Sequence, residues 1–253
     1  MAGRGVVVTR PREQAGRLCE LIEAASGHPI LFPTLEILDP PDLQPLHALI
    51  DRLEGFDVAI FVSPTAVQRG LALVRARRSL PSRLRFAAIG QGSARELRRH
   101  GVDDVLAPER GADSEALLAL AEFADVRNRA VAIFRGLGGR ELLGDTLRAR
   151  GALVEYAQCY RRVRPRADAE VLMQAWRRGE VHAVTATSRE ALANLVEMVG
   201  APGRRWLLET PLFVPHERIA EAARSLGVAE VVVTQPGDEG LVAAMIGHFS
   251  RTS

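Results

Sequence analysis

The sequence predicts an α/β protein of two similar lobes, each built on a parallel sheet, and three observations predict it. Short apolar runs alternate with amphipathic stretches at 3.6-residue spacing, the pattern of parallel strands joined by helices. One unit of about 125 residues is written twice in the same order. The chain has 253 residues, 47% of them hydrophobic, enough for two buried cores.

Taken in order, the first copy opens on Val6-Val7-Val8-Thr9-Arg10, a strand near Gly5 to Thr9 that ends in an arginine. The second opens on Val131-Ala132-Ile133-Phe134-Arg135, a strand near Ala130 to Phe134, at an offset of 125. A helix over Glu13 to Ala25 follows the first strand. Then Ile30 to Leu38, with its Phe32-Pro33-Thr34-Leu35-Glu36-Ile37, breaks the alternation, as Val154 to Arg164 does at the equivalent place with Tyr156-Ala157-Gln158-Cys159-Tyr160. Extended, apolar and next to prolines, these two segments are expected to pair as a two-stranded ribbon crossing between lobes. Crossing twice makes the lobes discontinuous: residues 1–34 with 163–253, residues 38–155 inserted, and 35–37 and 156–162 as the linking strands. Strands near Val58 to Val62, Phe86 to Ile89 and Asp104 to Leu106, with a helix over Ser93 to His100, complete the first copy. Strands near Ala183 to Ala186, Leu212 to Val214 and Glu230 to Val233 complete the second. The turns recur as well. Phe61-Val62-Ser63-Pro64 is answered by Thr185-Ala186-Thr187-Ser188, which aligns Ser63 with Thr187 at an offset of 124. Ser93 to Leu97 with Gly101 returns as Ile219 to Ala223 with Gly227, and Asp113 to Leu117 as Gly237 to Leu241.

Composition removes several kinds of chemistry. All 33 basic residues are arginine, so no lysine is present for a Schiff base, a pyridoxal phosphate anchor or a Walker A loop. A genome biased toward arginine codons explains this without any role in function. Net charge is +2 with arginines spread along the chain, which gives no basic stripe for nucleic acid. The densest group, Arg161-Arg162-Val163-Arg164-Pro165-Arg166, reads as a solvated exit from the ribbon, with an anionic ligand rim as the minority reading. Cys19 and Cys159 lack metal-ligand spacing and are expected to be buried, inert thiols. No run approaches a membrane span, and Met1 to Gly5 leads into a strand rather than a signal peptide, so the cytoplasm is the expected location.

Polar strand-to-helix turns come in pairs and are expected to line a cleft at the carboxyl ends of the strands. They are Thr9-Arg10, Ser63, Gly90-Gln91-Gly92-Ser93, Arg135-Gly136 to Arg140, Thr187-Ser188 and Pro215-His216. Each has a plainer reading. Ser63 before Pro64 suits a helix N-cap with proline at the first helical position, and Thr187 with Glu190 suits a capping box. The glycines of residues 136–139 permit either an anion cradle or a positive φ. Gly90-Gln91-Gly92 opens a dinucleotide fingerprint, but Arg95 stands where its third glycine belongs, which argues against a nicotinamide cofactor. His216 belongs to no nucleophile motif and reads as a surface turn, and no metal-ligand motif is visible. Arg10, Arg135 and Arg140 are natural clamps for several carboxylates, with a salt bridge as the alternative. Tyr160 is placed either in a lobe core or with its hydroxyl in the cleft, where a phenol donates a proton to a leaving group.

These segments, in this order, resemble the uroporphyrinogen-III synthase family over nearly the whole chain. The resemblance rests on Val7-Val8-Thr9-Arg10-Pro11, Phe32-Pro33, Phe61 to Val67, Ala88 to Ala94, Arg135-Gly136 with Gly139-Arg140-Glu141, Cys159-Tyr160-Arg161-Arg162, Ala186 to Glu190 and Val214 to Ala220. It implies two flavodoxin-like parallel-sheet lobes joined by a two-stranded β-ladder, with the active site between them. It also implies cyclisation of hydroxymethylbilane to uroporphyrinogen III with ring D inverted, without cofactor or metal. Tyr160 matches the family's crossover tyrosine, the candidate proton donor, and Ser63, Ser93, Thr187 and Ser188 fall at its cleft-lining turns. His216-Glu217 departs from the hydroxyl residues some members carry there. A monomer is expected, open to transient hand-over of the substrate from hydroxymethylbilane synthase. The competing reading is a non-catalytic bilobal ligand-binding or regulatory module. A fused DNA-binding or receiver segment would favour it, and the terminal Phe249 to Ser253 is expected to carry none.

Overall fold

In chain order, the strands and helices begin with β1 (Gly5–Val8), α1 (Arg12–Ala24), β2 (His28–Leu31) and β3 (Glu36–Leu38) in a computed structural model that describes residues 1–251. The last two residues of the terminal stretch thus lie outside the described residues. Next come α2 (Gln44–Asp51), β4 (Val58–Phe61), α3 (Pro64–Arg77), β5 (Arg85–Ala88), α4 (Gln91–Arg99), β6 (Val105–Leu106) and α5 (Ser114–Leu118). They continue with β7 (Ala130–Gly136), α6 (Leu142–Ala149), β8 (Leu153–Val163), α7 (Ala169–Arg177) and β9 (Ala183–Thr185). The last are α8 (Arg189–Glu209), β10 (Leu212–Val214), α9 (Glu217–Ser225), β11 (Val231–Val233) and α10 (Asp238–Arg251). No helix among the described residues is long and apolar enough to cross a membrane.

These elements divide into two compact units, Met1–Glu36 with Val163–Ser253 and Ile37–Arg162. The first unit holds a five-stranded sheet in the order β11-β10-β9-β1-β2, parallel throughout. Renumbered within the unit, this is the 2-1-3-4-5 order of a flavodoxin-like sheet, with a switch point where β1 meets β9. β1 is Gly-Val-Val-Val and buried along its whole length. A central parallel strand is covered on both faces, so its residues need not alternate with polar ones. Val6 and Val8 pack under α1 and α10, with Leu18, Ile22, Leu241 and Met245. Val7 packs on the other face with Leu172 of α7, Leu195 of α8 and Ala220 of α9. Each fully buried valine stabilises the unit by roughly 1.5–3 kcal/mol against exposure.

The second unit holds a six-stranded sheet, β3-β8-β7-β4-β5-β6. Leaving out β3 and counting from β7, its order is again 2-1-3-4-5, with the switch point where β7 meets β4. One face packs on α2, α3 and α4, where Phe61 and Phe134 stack with centroids 4.5 Å apart. The other packs on α5 and α6 through Ile60, Ile133, Leu117 and Leu147. The registers of the two sheets correspond. Val8 opposite Leu31 and Thr185 has its counterpart 125 residues away in Ile133 opposite Tyr156 and Ile60.

The strands expected from the sequence are present, several ending one residue early because Thr9, Val62, Ile89 and Ala186 leave the sheet to begin the turns. The helix expected from Ser93 starts at Gln91. Of the two segments expected to pair as a ribbon, Ile30 to Leu38 is divided. Ile30 and Leu31 belong to β2 in the first unit's sheet, and only Glu36–Leu38 lies beside β8, as the edge of the second unit's sheet.

Candidate functional site

The candidate residues lie at or near strand ends and helix starts, except Tyr160, which sits within β8, and each unit has its own set. In the first unit, three threonines fasten the strand ends. Thr9 donates through Oγ1 to the Thr185 carbonyl at 2.7 Å, Thr185 to the Val7 carbonyl at 3.0 Å, and Thr34 to the Thr9 carbonyl at 3.2 Å. All three are buried, and their hydroxyls carry backbone bonds that a longer ladder would otherwise supply. Arg10 follows at the end of β1. It faces Asp238 in the first turn of α10, Nη1 to Oδ1 at 2.6 Å, with both side chains largely covered. The carboxylate also suits the positive end of the helix.

At the end of β9, Ser188 is the N-cap of α8, its Oγ accepting from the Ala191 N–H at 3.0 Å. This corrects the expected capping box on Thr187, which sits half-buried one residue earlier. The structural counterpart of Ser63 is therefore Ser188, at the same offset of 125 as the strands. His216 occupies the N-cap position of α9, exposed and without a side-chain cap bond.

In the second unit the arginine that ends β7 behaves differently. Arg135 is only 5% exposed. Its guanidinium donates to the Gly138 carbonyl, reaches Glu141 at 3.1 Å and stands 4.7 Å from the Tyr156 ring centroid. In this structure it builds the loop of residues 136–141 from inside. Gly139 has φ +104, a backbone conformation that favours glycine, and a Cβ there would lie 2.8 Å from Arg135 Nη2. Arg148 lies across the Tyr156 ring as well, at 5.0 Å. The Tyr156 hydroxyl is buried with no partner in hydrogen-bond geometry. It nevertheless lies near enough to hold the Glu141 carboxyl below its usual range, helped by the charge on Arg135, while burial and Glu141 push the phenol itself up. Arg140 is 65% exposed in its side chain and bonds Glu115 at 2.6 Å, keeping that carboxyl low.

Gln91 opens α4 and donates to the Pro108 carbonyl at 2.9 Å. Ser93 turns inward and is buried in the first turn. Ser63 caps α3, its Oγ accepting from the Ala66 N–H at 3.0 Å, and Pro64 follows at the first helical position.

Ser63 also meets Tyr160, Oγ to Oη at 3.1 Å. Tyr160 sits on β8 at 2% exposure with its ring in the core beneath α3. Of the two placements the sequence leaves open, the ring takes the core while the hydroxyl reaches the strand-end turn. Two features put it there. The β7–β8 register shifts between Arg135 and Gly136, so that Gly136 opposes Tyr160. Gly136 also leaves room for the ring, since a Cβ would lie 2.8 Å from Cε2 and 2.9 Å from Cζ. Cys159, skipped by the bulge, is buried and desolvation pushes its thiol up to about 12; Cys19 is only half-buried, contrary to expectation. Among the described residues, no group of three or more His, Cys, Asp or Glu is placed to hold a metal ion.

Sequence reasoning missed Asp238, Glu141 and Tyr156. Glu141 has a signal in its closeness to Arg135 along the chain; Asp238 has none, because its contact with Arg10 is made only by folding.

The model of the family described as uroporphyrinogen-III synthase HemD matches residues 16–243. The uroporphyrinogen-III synthase of Salmonella typhimurium is 33% identical over 235 residues, spanning 92% of this chain and 96% of that protein. That of Escherichia coli is 32% identical over the same shares. A mutant uroporphyrinogen III synthase from the extremely thermophilic bacterium Thermus thermophilus superposes with a TM-score of 0.64 at 22% identity, covering 99% of this chain and 98% of that one. Uroporphyrinogen-III synthetase from Helicobacter pylori superposes at 0.58 with 13% identity, covering 97% and 99%. These two likenesses concern the fold.

Proposed function

Because the chain belongs to the uroporphyrinogen-III synthase family, we propose that the strand-end turns of its two sheets hold a linear tetrapyrrole and that Tyr160 assists its closure. The activity is that of a lyase of porphyrin and tetrapyrrole biosynthesis, converting hydroxymethylbilane to uroporphyrinogen III. The match across residues 16–243 carries this conclusion.

Chemistry assigns the roles. The terminal hydroxyl of the bilane takes a proton and leaves as water, giving an azafulvene cation. The substituted carbon of ring D attacks it to form a spiro intermediate, and bond migration with reclosure gives isomer III. Unassisted, the same chain closes to isomer I without inversion, so the enzyme's main task is to hold the folded pose that favours the spiro route. Eight substrate carboxylates call for arginines and for backbone N–H groups at helix starts. Arg140 is exposed for this, and Arg10 reaches a substrate carboxylate by exchanging it for Asp238. Gln91, Gly136, Thr187, Ser188 and His216 supply neighbouring polar and backbone contacts, whereas Arg135 and Ser93 support the turns from beneath. Tyr160 donates the proton, with its hydroxyl set by Ser63. A folded Tyr160→Phe variant keeps some activity, because positioning carries most of the rate.

An anion with eight carboxylates does not cross a membrane unaided, so enzyme and supplier share a compartment. We place both in the cytoplasm, the enzyme a monomer that receives the bilane by transient hand-over from hydroxymethylbilane synthase. The test is to generate hydroxymethylbilane in the presence of the purified protein, oxidise the products and separate uroporphyrins III and I. Predominantly isomer III is expected; isomer I alone, from folded protein, would favour the non-catalytic binding module.

A further inference from the structure

We propose that Arg162 is a positioning residue for the reaction, holding the Tyr160 hydroxyl and balancing the charge that develops on it as its proton leaves. The proposal rests on Tyr160 being the proton donor. Arg162 and Tyr160 are two residues apart on β8 and so share one side of the strand. The Arg162 guanidinium lies 5.8 Å from the Tyr160 ring centroid, and its Nη2 stands 3.5 Å from the hydroxyl oxygen. On its other side that oxygen meets Ser63 Oγ, which already accepts the Ala66 N–H.

The hydrogen-bonding inventory gives the arrangement a direction. A guanidinium only donates, so Arg162 engages a lone pair of the phenol and leaves the phenol proton to be given away. As that proton passes to the departing hydroxyl, negative charge builds on an oxygen that already has the guanidinium within hydrogen-bond distance. Arg162 is exposed and Tyr160 is buried, with the guanidinium lying over the phenol ring. Its neighbours in the arginine run face other groups: Arg161 donates to the Asp39 carbonyl at 3.1 Å, and Arg164 pairs with Glu197.

A double-mutant cycle tests this, with kcat and KM for isomer III measured for wild type, Arg162→Gln, Arg162→Lys, Tyr160→Phe and Tyr160→Phe/Arg162→Gln. Because Arg162 is exposed, its variants are expected to fold, and circular dichroism verifies this for all five. Expected is a roughly tenfold fall in kcat for Arg162→Gln with KM within about twofold, the size of one transition-state contact. Arg162→Lys should recover part of the loss, and adding Arg162→Gln to Tyr160→Phe should cost nothing further. An undiminished Arg162→Gln effect in the Tyr160→Phe background, a change confined to KM, or an unchanged kcat overturns the proposal. Wild-type protein yielding only isomer I would instead overturn the functional reading, a separate and prior result.

Discussion

The same residue ends the first strand of each sheet, and the two units use it in opposite ways. Arg10 points away from its own turn to Asp238 at the start of α10, whereas Arg135 folds back into its own turn, under Gly138 and over Tyr156. The difference follows from what comes next in the chain. After Arg10, Pro11 leads directly into α1; after Arg135, residues 136–141, half of them glycine, intervene before α6 and need something inside to hold them. A second contrast lies at the serine caps. Ser63 and Ser188 make the same bond to the start of a helix, but only Ser63 meets a phenol, because β8 runs 11 residues and brings Tyr160 opposite Gly136 at the end of β7, whereas β2 has 4. Units built on one plan thus differ at their strand ends: the first fastens them with threonine hydroxyls, and the second brings a tyrosine hydroxyl to its serine cap.

Breaking the two arginines should separate them most. Arg135→Gln removes a buried guanidinium from a loop built around it and is expected to cost about 2–4 kcal/mol, in the range for broken buried networks. Arg10→Gln, whose side chain retains some solvent contact, should cost about 1–2 kcal/mol on the same reasoning. Urea unfolding compares the two, and equal losses would mean that the two arginines are structurally equivalent.

Glycines give a smaller contrast of opposite sign. Gly136→Ala drives a Cβ into the Tyr160 ring and should cost roughly 1–3 kcal/mol as an overpacked contact. Gly16, within α1 of the first unit, has nothing within 4 Å of the same position, and Gly16→Ala should stabilise by about 0.5–1 kcal/mol through helix propensity. Thermal melting of the two variants should move in opposite directions; a stable, fully active Gly136→Ala would show that the ring is not held there.

The thiols make the smallest difference. Desolvation raises Cys159 in the folded protein from the ordinary 9.0 to about 12, so folding favours the protonated thiol. Its contribution is complete below pH 9.0 and is lost as pH climbs toward 12; Cys159→Ala should flatten this alkaline loss in unfolding curves. Its counterpart in the first unit, Thr34, has no such titration. In native protein at about pH 8, near the pKa of an ordinary thiol, a thiol reagent should modify the half-buried Cys19 first, and early modification of Cys159 would contradict its sealed position.

Apolar runs made the strands legible, to the residue for Leu212–Val214, because burial on both sheet faces demands uninterrupted hydrophobic side chains. The Ser63-Pro64 cap was equally readable. The second cap was not, since Thr187 and Ser188 are adjacent and both competent, and only the backbone decides which one accepts. Tyr160 could be named but not oriented, because the bulge that opposes it to Gly136 leaves no mark in periodicity. The arginines were visible as charges, but their partners were fixed only by the fold.

The most direct measurement is turnover and isomer ratio for Ser63→Ala beside Ser188→Ala. Each should lose about 1 kcal/mol of stability with its cap bond. Only Ser63→Ala should also lower kcat, by several-fold, the size of one weakened hydrogen bond at the proposed donor Tyr160, with isomer III still the main product. Equal effects on kcat, or a larger one from Ser188→Ala, would contradict the proposal that Tyr160, in the second unit, donates the proton.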